Sequence, residues 1–184
     1  MSLIFEGTII PEVKVFRTAI YEDARGAFSE SFNAAQFSSE VAKGYSFVQD
    51  NQSVSKRGVL RGLHYQVRQP QGTLVRVVRG SVFDVAVDVR QGSPTFAKWV
   101  GVCLSSHNRR QIWIPEGFAH GFVVLSDVAE VIYKTTAYYA PEYERSIVWN
   151  DPQLGIAWPD IGGTPLLSDK DKSACLLADA DLPI

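Results

Sequence analysis

Short apolar runs recur along this chain, each closed by turn-forming residues. They predict strands over 13–20, 27–32, 58–66, 73–78, 82–89, 98–104, 111–114, 119–125, 128–139 and 146–149. The breaks carry the expected turn chemistry, as in Arg25-Gly26, Gln71-Gly72, Arg79-Gly80, Gln91-Gly92-Ser93-Pro94 and Pro115-Glu116-Gly117. Alternation is clearest over 82–89. Phe83, Val85, Val87 and Val89 share one face there, and Val82, Asp84, Ala86 and Asp88 share the other. Helices are scarce. One is predicted over 33–43, with Asn33 as N-cap and Phe37 and Val41 four apart, and a second short one opens at Ser168. Many short strands at this spacing predict an all-β antiparallel sandwich or barrel. A jelly roll, with a cavity between its two sheets, fits the pattern.

Composition narrows the function classes. The chain has 184 residues, 46% of them hydrophobic, which is enough for one domain with its own core. Its 18 basic and 20 acidic residues nearly cancel, so the basic excess of a general nucleic-acid or anionic-membrane binder is absent. The start, MSLIFEGTIIPEVK, lacks the basic region of a signal peptide, and no stretch matches a membrane-spanning helix. The two cysteines, Cys103 and Cys175, allow one bridge and require none; Cys103, in an apolar run, reads as a buried small hydrophobe. A reducing cytoplasm is the expected compartment.

The candidate chemistry starts from three histidines. His107 lies in a polar loop and is expected at the surface. His64 and His120 lie in apolar, glycine-rich strands, either as satisfied core residues or as working imidazoles. His64 is followed by Tyr65 and Gln66, so the His-x-His of a metal-binding barrel is missing, and no metal site is expected. Arg25 and Arg61 carry guanidinium forks suited to phosphate, outside any nucleotide-fold motif. Arg61 and His64 are three apart, so a regular strand would send them to opposite faces. If both serve one site, a bulge near Gly62 is required. Over 128–139, Tyr133, Thr135, Ala137 and Tyr139 would share a face. Asp171 stands near a helix start, where capping alone could explain it.

Together the motifs are more specific. Asp23-x-Arg25-Gly26-x-Phe28-x-Glu30, Phe47-Val48-Gln49-Asp50-Asn51-x-Ser53 and Gly58-Val59-Leu60-Arg61-Gly62-Leu63-His64-Tyr65-Gln66 resemble the dTDP-4-dehydrorhamnose 3,5-epimerase family. So do Phe83-Asp84-Val85-Ala86-Val87-Asp88, Pro115-x-Gly117-Phe118-Ala119-His120-Gly121-Phe122, Tyr133-Lys134 and Leu167-Ser168-x-Lys170-Asp171. The resemblance implies a cupin-type jelly roll that works as a homodimer without cofactor or metal. It implies one domain over 1–184, with an N-terminal arm of about 1–35 exchanging strands with the partner and a segment of about 165–184 packing over the barrel. It also implies conversion of dTDP-4-keto-6-deoxy-D-glucose to dTDP-4-keto-L-rhamnose.

Roles follow by the same resemblance. His64 is the base, Asp171 its orienting carboxylate and Tyr133 the acid. Arg61 and Arg25 meet the diphosphate, Arg25 from the partner subunit. Phe28 and Tyr139 meet the thymine, while Glu30, Gln49, Asn51, Glu144 and Lys170 make further contacts. His120 and Asp84 line the sugar end. One position departs: the family usually has lysine where Gln71-Gly72-Thr73-Leu74-Val75 has Thr73. That lysine is implied to sit near the C4 oxygen, so its loss would remove a charge from the enolate and a cationic neighbour from Asp84. The other readings are an epimerase acting at C3 or C5 alone, a non-catalytic sugar-nucleotide binder, and a metal-dependent oxygenase, which the missing His-x-His disfavours.

Overall fold

Alternating burial along each strand sorts the side chains of two antiparallel sheets into one shared core and two outer ones. A computed structural model describes residues 2–183. The first sheet runs in the order β1 (Leu3–Glu6), β2 (Lys14–Thr18), β10 (Gln111–Ile114), β7 (Thr73–Arg79), β12 (Val128–Thr135) and β5 (Gln49–Lys56). The second runs β13 (Glu144–Ser146), β6 (Leu60–Gln66), β11 (Phe118–Val124), β8 (Ser81–Asp88) and β9 (Trp99–Ser105). Sequence neighbours are repeatedly split between the sheets, as in a cupin-type jelly roll.

The inward faces meet in a core of Val75, Val77, Ile112 and Val131 against Val82, Ala86, Leu104 and Phe122. The alternation expected over 82–89 is observed. Val82 and Ala86 face the other sheet, while Val85, Val87 and Val89 pack outside against Leu63, Ile147, Leu154 and Leu177. The outer face of the first sheet is covered by the helical segment. Asn33 caps it, its side chain accepting from the Gln36 N–H, and Phe37 and Val41 seat on Phe16, Leu74 and Trp113. The segment is irregular: a three-residue α-turn, Ala34–Gln36, passes into a π-turn, Phe37–Val41.

Several expectations are corrected. The strand expected over 27–32 shrinks to β4 (Gly26–Phe28), paired only with β3 (Tyr21–Asp23) in an exposed hairpin. The strand expected over 128–139 ends at Thr135, whose hydroxyl donates to the Ala137 carbonyl as the chain turns. The last expected strand lies earlier, at Glu144–Ser146. β1, β3 and β5 were not expected. Cys103 is exposed rather than buried, because it occupies an outward position of β9, and both cysteines are free thiols. His107 is exposed, as expected.

Asp88 ties the end of β8 to the loop that follows. Its fully buried carboxylate accepts from the Arg90 backbone and guanidinium and from the hydroxyls of Ser93 and Thr95. Burial alone would raise this carboxyl, but those hydrogen bonds outweigh it and bring it down to about 2. A carboxyl lowered on folding stabilises above its unfolded pKa, and that contribution is lost as pH falls from about 4 through 2. Asp88→Asn is therefore expected to cost about 2 kcal/mol at pH 7. It should also flatten the acid limb of the stability curve, as thermal melts from pH 7 to pH 2 will show.

Candidate active site

A cavity of about 560 Å³ opens between the two sheets, where the β5–β12 side of one faces the β13–β6 side of the other. Its lining includes Gln49, Asn51, Arg61, His64, Thr73, His120, Tyr133, Tyr139, Glu144, Lys170 and Asp171. Residues far apart in sequence converge because β6 and β11 are adjacent, with His64 directly opposite His120.

The bulge demanded by Arg61 and His64 is present. The β6–β11 register shifts between His120 and Phe122, so both side chains reach the cavity. The sequence permits this through two facing glycines. A Cβ on Gly62, whose φ is +124°, would sit 2.5 Å from the Gly121 Cα, and one on Gly121 would sit 2.7 Å from the Arg61 carbonyl oxygen. No side chain fits between these backbones.

Two histidines line the cavity, each paired with a buried carboxylate. His64 Nε2 lies 2.5 Å from Asp171 Oδ1. Asp171 is in turn fixed by Ser168, whose hydroxyl donates to Oδ2 at 2.7 Å and caps the Asp169–Lys172 turn by accepting from the Asp171 N–H. Burial pushes the Asp171 carboxyl up, but the bonds from His64 and Ser168 prevail and its pKa is lowered. Asp171 is thus both a capping-turn residue and a buried partner for the imidazole. In the second pair, His120 Nε2 lies 3.0 Å from each oxygen of the fully buried Asp84. Asp84 thus has an imidazole partner in this chain, where the resemblance would have placed a lysine nearby.

Tyr133 approaches from β12, opposite Asn51 of β5. Burial, the largest cause, raises its phenol pKa, with Glu144 adding to the shift and Arg61 opposing it. The phenol therefore keeps its proton across the neutral range. Arg61 donates through Nε to Ser55 Oγ at 3.1 Å, and its terminal nitrogens bond to no other described residue. At the rim, Lys170 pairs with Glu144 at 2.5 Å and Tyr139 donates to Glu144 at 2.7 Å. The bond to Glu144, aided by burial, pushes the Tyr139 phenol up to about 12. Gln49 links Asn51 to the Tyr139 backbone.

Arg25, Phe28 and Glu30 lie outside this cavity. Arg25 is 89% exposed and paired with Asp23, Phe28 is 63% exposed on the hairpin, and Glu30 lines a separate small crevice beside Phe37. Ser53, Ser168 and Phe122 stood in the motifs without a site role, and Ser55 was not singled out at all. Ser168 carried a legible signal, a serine three residues before a carboxylate at a helix start. Among the described residues, no three His, Cys, Asp or Glu side chains are grouped to hold a metal ion. No helix among them is long and apolar enough to cross a membrane.

The inter-sheet cavity of this jelly roll holds a carboxylate-bound imidazole, a protonated phenol and a guanidinium with unbonded terminal nitrogens, groups that can move protons and meet an anion. The family model for dTDP-4-dehydrorhamnose 3,5-epimerase matches residues 7–179, and the chain belongs to that family of isomerases. It is 60% identical over 172 residues, 94% of each chain, to the dTDP-4-dehydrorhamnose 3,5-epimerase of Pseudomonas aeruginosa. Among solved structures it resembles a dTDP-6-deoxy-D-glucose-3,5-epimerase from Legionella pneumophila in complex with dTDP-4-keto-L-rhamnose. That match has a TM-score of 0.96 and 54% identity, over 99% of this chain and 98% of the other. A 3'-monoepimerase from Streptomyces bikiniensis in complex with dTDP-quinovose matches with a TM-score of 0.88 and 38% identity, over 96% and 91%.

Proposed function

We propose that this chain converts dTDP-4-keto-6-deoxy-D-glucose to dTDP-4-keto-L-rhamnose by inverting C3 and C5. The observation that carries this reading is the His64–Asp171 pair facing Tyr133 across one cavity. Protons on C3 and C5 flank the C4 ketone, so removing either leaves an enolate. His64 gives its Nε2–H to Asp171, which leaves the Nδ1 lone pair as the base. Asp171 fixes that tautomer and steadies the imidazolium that forms. Tyr133 returns a proton from the opposite face, which is what inversion requires.

Arg61 holds the diphosphate with its free fork. Tyr139 meets the thymine, Gln49, Glu144 and Lys170 make further contacts around it, Asn51 stands beside Tyr133 at the sugar, and His120, backed by the buried Asp84, lines the sugar end. The cationic side chains lining the cavity are Arg61 and Lys170, and Lys170 is already paired with Glu144. A diphosphate therefore lacks charge compensation within one chain. We assign the missing contacts to a second copy, whose exposed hairpin brings Arg25 and Phe28, with Glu30 following, to this cavity in a homodimer. Two free thiols suit a cytoplasmic enzyme. Incubation with dTDP-4-keto-6-deoxyglucose followed by reduction of the C4 ketone tests the reading: dTDP-L-rhamnose is expected, and recovery of D-configured sugars alone would refute it.

Thr73 is 7% exposed and lines the cavity where the resemblance places a lysine. A fixed charge beside a developing oxyanion is worth a few kcal/mol. Thr73→Lys is expected to raise kcat about tenfold or more on the same substrate; unchanged or lower kcat would show that Thr73 is no simple loss.

A further inference from the structure

Ser53 carries a buried hydroxyl with no hydrogen-bond partner among the described residues, and it lines the cavity. Its position explains the missing partner. Along the inward face of β5 stand Gln49, Asn51, Ser53 and Ser55. Gln49 and Asn51 bond each other, and Ser55 bonds Arg61. Ser53 lies directly opposite Val131 of β12, which lies opposite Val77 of β7. Both valines are buried in the inter-sheet core, so this level of the wall offers Ser53 nothing polar. An unsatisfied buried hydroxyl is a cost to folding, and alanine would fit there without it. The cost makes sense if a ligand supplies the partner.

The flanking residues indicate which part of the ligand does so. On one side Ser55 holds Arg61, the diphosphate anchor. On the other, Asn51 faces Tyr133, the proton donor at the reacting carbons. Each is two residues away, about 7 Å along the strand. The part of a nucleotide sugar between its diphosphate and C3 is C1 and C2. We infer that Ser53 Oγ binds the C2 hydroxyl of the sugar ring, an assignment that rests on the functional reading above.

The test is a titration of wild type and Ser53→Ala with three unreactive probes, dTDP, dTDP-glucose and dTDP-2-deoxyglucose. Wild type should bind dTDP-glucose about tenfold more tightly than the 2-deoxy compound, the worth of one buried hydrogen bond. Ser53→Ala should bind those two equally, bind dTDP as wild type does, and melt at the same or a higher temperature. Equal discrimination against the 2-deoxy sugar by both proteins would overturn the assignment. So would an equal loss of affinity for dTDP and dTDP-glucose in the variant. Failure of the wild type to bind any of the three would instead overturn the functional reading, and this inference with it.

Discussion

Replacing His64 with alanine is expected to lower turnover about 10³–10⁴-fold and to abolish deuterium uptake from solvent at both C3 and C5. The size follows from the site. Among the residues lining the cavity, His64 is the imidazole whose carboxylate partner is itself locked, by Ser168 on one oxygen and by burial on both. Neither other candidate base can easily replace it. His120 is held through Nε2 by both oxygens of Asp84, and Glu144 is engaged by Lys170 and Tyr139. Binding should survive, because Arg61 and the rim remain. An unchanged dTDP affinity beside lost exchange therefore separates a missing base from a collapsed site. Retained exchange at either carbon would show that a second base serves that position.

Tyr133→Phe should split the reaction in a different way. The phenol is needed to return the proton, not to remove it. Exchange through His64 should persist within about tenfold, while formation of inverted product falls about 10²–10³-fold. The raised phenol pKa fits this role, since burial keeps the donor protonated at neutral pH. Phenylalanine preserves the packing of the ring against the core, so folding should be little affected. Following deuterium uptake and product configuration in the same sample gives the ratio directly. Exchange and inversion falling together would mean that Tyr133 orients substrate rather than delivering a proton.

Much of the fold was legible because burial follows alternation, and strands such as β8 show it plainly. β5 was not, for a specific reason. Its inward positions are polar because they line a cavity, and Val54, its one large apolar residue, is 62% exposed. A strand whose inner face meets a ligand rather than a core loses the pattern that reveals strands. Ser55 was missed with it, and Ser53 was legible only as a motif residue without a role. The bulge at Gly62 was legible, since three-residue spacing between two site residues cannot be met by a regular strand. The His120–Asp84 pair was not, because its members sit on separate strands and meet only through the β8–β11 register. Arg25 and Phe28 were legible as motif residues, yet a single chain leaves them in solvent.

The central claim is proton removal and return at both carbons beside the ketone. Proton NMR of dTDP-4-keto-6-deoxyglucose incubated with the enzyme in deuterium oxide tests it most directly. Deuterium at both C3 and C5, with both centres inverted, is the predicted result. Deuterium at one carbon alone would reassign the chain as a single-site epimerase, and deuterium at neither would contradict the account.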